Sequence, residues 1–246
     1  MTNDFVQDFI DKQMVYVPDS HRFYDLVQAL ANYQGVDILP YTNNNELLTG
    51  LVRENAIKHY QKLLHEERPP QACVLIVITD EPNPRLLLTR RSARLSSHAG
   101  EVSFVGGKRD DTDKSSVETA LREAYEEVGL DRADTQILGY LPMQISKKGL
   151  LVRPVVVCIS PCAVDRLMPS EDEIDKLFWL PFAVLQTAPT NHIFDRELPN
   201  QTAKLHTPAW IYDDEVIWGL TGRILASLME IGFGIKWGWY YWVKQC

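Results

Sequence analysis

Three glutamates, Glu123, Glu126 and Glu127, sit together in the segment Ser115-Ser-Val-Glu-Thr-Ala-Leu-Arg-Glu-Ala-Tyr-Glu-Glu-Val-Gly-Leu130. If the segment is helical, each residue turns about 100°, which puts Glu126 at roughly −60° and Glu127 at roughly +40° from Glu123. All three carboxylates then share one stripe. Crowding like charges on a stripe is repulsive. A solvated acidic face is one reading of such a run. The other is a site for a hard divalent cation: Mg²⁺ or Mn²⁺ accepts carboxylate oxygens, keeps several waters and offers coordination to phosphate oxygens. Arg122 neighbours Glu126 in angle, in the order that does less for helix stability. A role in holding a carboxylate in place explains it better.

A helix that carries these groups must start and stop cleanly. Ser115 and Glu118 have the spacing of a capping box, and Gly129-Leu130 suits a C-terminal stop. Val117, Ala120, Leu121, Ala124 and Val128 fall on the opposite face, ready to pack on a sheet. Strands are expected at Ala72–Thr79, Arg85–Arg90, Glu101–Val105, Gln136–Leu141, Leu150–Ile159 and, briefly, Leu177–Leu180. A last helix is expected over 213–230. Residues 1–70 read as a helical extension, with Leu47, Leu48, Leu51, Ala56, Ile57, Tyr60, Leu63 and Leu64 at near-helical spacing before Pro69-Pro70. The order of strands and helices predicts a mixed α/β domain of packed layers over 71–230. Residues 231–246 form an aromatic tail with Trp237, Trp239, Tyr240, Tyr241 and Trp242. Its aromatic density suits a membrane interface or the surface of a homodimer. The preferred expectation is that it folds back over the core.

The 246-residue chain is acidic, with a formal charge of −8. That argues against a nucleic-acid coat, whose binding rests on neutralising phosphates, and demands a local correction if the ligand is anionic. Cys73, Cys158, Cys162 and Cys246 form no metal-binding pattern and read as free, buried thiols of a reducing compartment. The N-terminus lacks the features of a signal peptide, and no apolar run is long enough to span a membrane. A cytoplasmic location is therefore expected.

The sequence from Gly107, through Asp113, to Arg122-Glu-Ala-Tyr-Glu-Glu-Val-Gly-Leu130 resembles the Nudix box. Two departures occur in its first half: Asp113 stands where the family has Glu, and one extra residue precedes Arg122. Upstream, Leu87-Leu-Thr-Arg-Arg-Ser92, Leu95, His98, Gly100 and Phe104-Val-Gly-Gly-Lys-Arg-Asp110 resemble the coenzyme A diphosphatase branch of that family. Downstream, Ile217-Trp-Gly-Leu-Thr-Gly-Arg-Ile-Leu225 is also similar to it. Val105 stands in place of the branch's Pro, and Ser96 where Arg is frequent.

The resemblance implies an α/β/α sandwich around a mixed sheet. It also implies metal-dependent hydrolysis of a diphosphate bond, with coenzyme A giving 3′,5′-adenosine bisphosphate and 4′-phosphopantetheine. Another nucleoside diphosphate derivative such as ADP-ribose is the alternative substrate, and a non-catalytic binding module the alternative role. Glu123, Glu126 and Glu127 would hold Mg²⁺ or Mn²⁺, with Arg122 orienting them. Gly106 and Gly107 would let backbone approach the diphosphate without a Cβ in the way. Arg91 and Lys108, with Arg94 and Arg109 beside them, are candidates to bind phosphate through charge-assisted hydrogen bonds. The base could be one of the box glutamates or an acid from another loop. Glu173 is the candidate for that acid and Glu171 its rival. His98 reads as a packed or loop histidine.

Overall fold

Alternation along one strand divides the molecule into two cores. In Ala72–Thr79 (β1), Cys73, Leu75 and Val77 belong to one buried cluster and Ile76 and Ile78 to the other. Burial on both faces is what a near-continuous apolar run predicts. The structure is a computed structural model that describes residues 20–32, 69–95, 97–198, 201–235, 237 and 240–243. The helical spacing read between Leu47 and Leu64 lies outside the described residues, as do Ser96, Trp239 and Cys246.

β1 runs parallel to Leu151–Ile159 (β7), in register from Ala72 opposite Val152 to Thr79 opposite Ile159. Among the described residues every other pairing is antiparallel. Arg85–Arg91 (β2) pairs with β1, with Val102–Ser103 (β3) and with Ile174–Pro181 (β8). Val105–Lys108 (β4) lies on the other part of β1. Thr135–Tyr140 (β5) and Gln144–Ile145 (β6) pair with β7. The sheet is mixed, as expected. Ser116–Val128 (the carboxylate helix) covers one face, packing on β1, β4 and β7. The other face is covered by Gly219–Phe233 (the C-terminal helix) and by Ser20–Asn32 (the N-terminal helix), which packs on the C-terminal helix and on β5. The result is an α/β/α sandwich.

Four expectations change in detail. The strand expected over Glu101–Val105 is two short strands, because the chain turns at Phe104 from its neighbour β2 to its neighbour β1. Gly106 and Gly107 therefore lie within β4 and not in a loop after it. β8 is longer than the Leu177–Leu180 core of its apolar pattern, since it pairs along the whole of β2. The last helix starts at Gly219, not at 213. Asp213 and Asp214 adopt φ of 52° and 61° and turn the chain back, so that Glu215–Ile217 (β11) pairs with Gln201–Tyr212 (β10). Cys162 is exposed, whereas Cys73 and Cys158 are buried free thiols.

β10 also pairs with Thr190–Leu198 (β9) and with Tyr240–Val243 (β12). The tail thus returns as a strand, and Trp237 packs against the core while its indole N–H donates to the Leu185 carbonyl at 3.3 Å. Among the described residues no helix is long and apolar enough to cross a membrane.

Candidate active site

The carboxylate helix begins where the capping residues require. Ser115 Oγ accepts the Glu118 N–H at 3.1 Å, and the Glu118 carboxylate accepts the Lys114 N–H at 2.8 Å, one residue earlier than a standard capping box. Gly129, at φ 68°, closes the other end, its N–H donating to the last-turn carbonyls. Ala120, Leu121, Ala124 and Val128 are buried against the sheet. Of the three glutamates, Glu126 stays half exposed, Glu123 is mostly covered and Glu127 is buried.

Arg122 is the hub of the acidic stripe. Its guanidinium reaches Asp113 Oδ1 at 3.2 Å and Oδ2 at 3.1 Å, Glu123 at 3.0 Å, Glu126 at 3.0 Å and the Lys108 carbonyl at 3.0 Å. Five planar donors in a rigid fork suit such a junction. The Asp113 carboxyl is held down to about 2, first by its hydrogen bonds from Arg122. Its carbonyl is braced by Arg109, which donates at 2.9 and 3.2 Å. Asp113, a mere variant of the box when read from the sequence, is the anchor of Arg122. The signal that could have found it is its place at the acidic position of the box, a short loop before the helix that carries Arg122.

Two neighbouring glycines bring β4 against this helix. A Cβ on Gly107 would overlap the Glu123 carboxylate, and one on Gly106 would overlap the backbone of Cys73 and Val74. The Gly106 N–H donates to Glu127 Oε2 at 3.1 Å, and Arg91 approaches Glu127 Oε1 at 3.5 Å. Burial, with smaller contributions from the charges of Glu173 and Glu123, still pushes the Glu127 carboxyl up to about 7. Burial also raises Glu123, where the bonds from Arg122 oppose it and Glu126 and Glu173 add to it. The charge of Glu173 is thus felt by both covered box glutamates. Its backbone carbonyl accepts the Ser92 N–H at 2.7 Å, which ties its loop to the end of β2. The rival Glu171 uses its carbonyl to receive Arg94.

Beside these acids lies a cavity of about 340 Å³. Arg91, Gly106, Gly107 and Lys108 line it, together with Trp218 and Thr221 at the start of the C-terminal helix. Arg94 and Arg109 instead direct their guanidinium groups to the Glu171 and Asp113 carbonyls. Glu101 and His98 also reach the wall, and nothing in the sequence singles out Glu101.

Residues 69–201 match the NUDIX domain family. The chain belongs to the Nudix family. Relatives agree: a protein named "Uncharacterized Nudix hydrolase NudL" from Pectobacterium atrosepticum is 43% identical over 165 residues, which covers 67% of this chain and 83% of that one. A protein of the same name from Escherichia coli (strain K12) is 34% identical over 201 residues, covering 81% and 97%. Among solved structures, a MutT/nudix family protein from Enterococcus faecalis has a TM-score of 0.39 at 14% identity, over 86% of this chain and 73% of that one. The protein is a Nudix hydrolase, an enzyme for nucleoside diphosphate derivatives.

Nudix hydrolases generally need divalent metal ions. The donor set here fits a hard cation by its chemistry: all the candidates are carboxylates, and Glu123 and Glu127 are buried together at the expense of their own ionisation. Among the described residues no three acidic, imidazole or thiol groups converge at ligand distance, with Glu123 and Glu126 both turned onto Arg122.

Proposed function

We propose that this Nudix hydrolase cleaves the diphosphate bond of coenzyme A or its derivatives, giving 3′,5′-adenosine bisphosphate and 4′-phosphopantetheine. One observation carries the reading. The two segments that resemble the coenzyme A diphosphatase branch, 87–110 and 217–225, are far apart in the chain but line the same cavity beside the box glutamates. Thr221 Oγ1 fastens them together, donating to the Val102 carbonyl at 2.9 Å.

In this reading Glu123, Glu126 and Glu127 hold Mg²⁺ or Mn²⁺, which when bound neutralises the diphosphate and activates water. Arg122, anchored on Asp113, keeps the carboxylates of Glu123 and Glu126 from splaying. Gly106 and Gly107 leave room for the diphosphate, and Arg91 and Lys108 give it positive charge. Glu173, outside the box, takes the proton of the attacking water in this reading, with its charge felt by Glu123 and Glu127 as support. Water adds to one phosphorus, and the bridging oxygen leaves with the other phosphate. A cytoplasmic setting accords with the free thiols of Cys73 and Cys158. The domain limits are those of the sequence reading: an N-terminal extension over 1–70, the catalytic domain over 71–230 and the tail beyond.

The test is product analysis after incubation with coenzyme A and Mg²⁺ or Mn²⁺. Appearance of both named products is expected. No turnover with either metal, alongside ready hydrolysis of ADP-ribose, would move the assignment to that substrate.

A further inference from the structure

His98 is neither packed in a core nor idle in its loop. Its Nδ1 lies 2.8 Å from Glu101 Oε2, and both side chains line the cavity. The backbone of His98 is left-handed, with φ of 56°. A residue with a Cβ is disfavoured in that conformation, though His less than most. The contact with Glu101 adds little stability in return: the two side chains are 42% and 43% exposed, and exposed pairs contribute little. Strain kept without a return in stability points to function.

The surrounding hydrogen bonds fix where the pair stands. Arg91 N–H donates to the Glu101 carbonyl at 3.0 Å, Gly100 N–H to the Arg91 carbonyl at 3.1 Å, and Glu101 N–H to the His98 carbonyl at 3.2 Å. The loop is thus closed on Arg91, the residue that also approaches Glu127. His98 and Arg91 are held as a unit on one wall of the cavity.

We propose that His98 is a substrate-binding residue that contacts the substrate's diphosphate, with Glu101 as its positioning residue. The inference rests on the reading that this cavity takes the diphosphate, though not on the substrate being coenzyme A. The Glu101 carboxylate engages Nδ1, which leaves Nε2 for the ligand. A phosphate oxygen only accepts hydrogen bonds, so Nε2 must carry a proton, and the imidazole must be in its doubly protonated form. The other charged groups lining the cavity, Arg91 from β2, Lys108 from β4, Lys147 from the turn before β7 and Arg223 from the C-terminal helix, are all cationic, although the Arg223 guanidinium is engaged by Gln144 and by the Ile145 and Gly219 carbonyls.

Two measurements at pH 6 test this: the dissociation constant for ADP-ribose in EDTA, where hydrolysis is arrested, and KM and kcat for coenzyme A and ADP-ribose with Mg²⁺. His98→Gln should bind ADP-ribose about tenfold more weakly than the wild type, the loss of one charge-assisted hydrogen bond. His98→Arg, which keeps a cationic donor, should retain more affinity than His98→Gln. Glu101→Gln should fall between wild type and His98→Gln. With Mg²⁺, KM should change more than kcat. Wild-type affinity in His98→Gln would overturn the proposal, and absence of ADP-ribose binding by the wild type would overturn it together with the cavity reading. Binding that depends on His98, without turnover of coenzyme A, would sink the substrate assignment alone.

Discussion

Glu127 on the carboxylate helix accepts the backbone N–H of Gly106 on β4 at 3.1 Å, so a buried acid of the box is fixed to the strand that would face the diphosphate. This bond holds the carboxylate's position without supplying a full positive charge. Burial therefore keeps its proton affinity high, up to about 7, and a cation remains the partner that would discharge the cost.

Glu127→Gln separates those two roles, because an amide oxygen can still accept from Gly106. With Mg²⁺, kcat should fall by about 10²–10⁴-fold. In metal-free buffer the sign of the stability effect is set by linkage. The folded carboxyl titrates at about 7, above the usual unfolded value of about 4.3, so its contribution is complete below about pH 4.3 and lost as pH rises through about 7. Urea unfolding of the wild type should thus lose ground to Glu127→Gln between pH 5 and pH 8. Two parallel stability–pH curves would contradict the assignment.

Asp113→Asn removes the charge that anchors Arg122. At pH 7 it should cost about 1–3 kcal/mol, the range for a hydrogen bond to a charged group, and lower kcat/KM as the guanidinium shifts. Here the pH sign is opposite. The folded carboxyl is held to about 2, below its unfolded value near 3.9, so its contribution is present above about pH 3.9 and lost as pH falls toward 2. The stability gap between variant and wild type should close over that interval in denaturant titrations.

The two glycines of β4 should respond differently to the same added methyl. Gly107→Ala would meet the end of the Glu123 side chain, which can swing away. Its melting temperature should stay close to wild type, while kcat/KM drops roughly 10²-fold through displacement of that carboxylate. Gly106→Ala would meet backbone from a residue with φ of 143°, which cannot yield. It should lose about 2 kcal/mol or more in stability. Calorimetry beside steady-state kinetics distinguishes them, and equal melting losses would refute the contrast.

Trp237 reports on the tail. Trp237→Ala removes a partly buried ring and its bond to the Leu185 carbonyl, and should destabilise by about 2 kcal/mol, less than for a fully buried Trp. Light-scattering mass should be unchanged if the ring serves only the core. A fall in mass with unaltered unfolding would assign it to an interface instead.

The site's local parts were legible because short-range rules govern them. The carboxylate helix shows its caps and its two faces in a single stretch, and β1 shows burial on both sides through its unbroken apolar run. What remained hidden depends on partners distant in the chain. β9 carries Asn191, His192, Asp195 and Arg196 without clean alternation, and β10 contains Pro208, which argues against a strand by composition. Their pairing with each other and with β12 decides the matter. The acids Asp213, Asp214 and Glu215 resemble a helix start, yet the first two occupy a left-handed turn and Glu215 pairs with Arg90 and Lys176. Glu173 was visible as a candidate, but its nearness to Glu123 and Glu127 required the β2–β8 pairing.

The hydrogen bond from Thr221 to Val102 also bears on how such an enzyme can diverge. A mutation confined to either segment alters one wall while the opposite wall keeps its old shape, so single-segment grafts between relatives should yield misfitted hybrids. Transplanting 87–108 and 217–225 as a pair carries the matched contact along. Selection for a new ligand would then leave its mark as correlated change at two places more than a hundred residues apart.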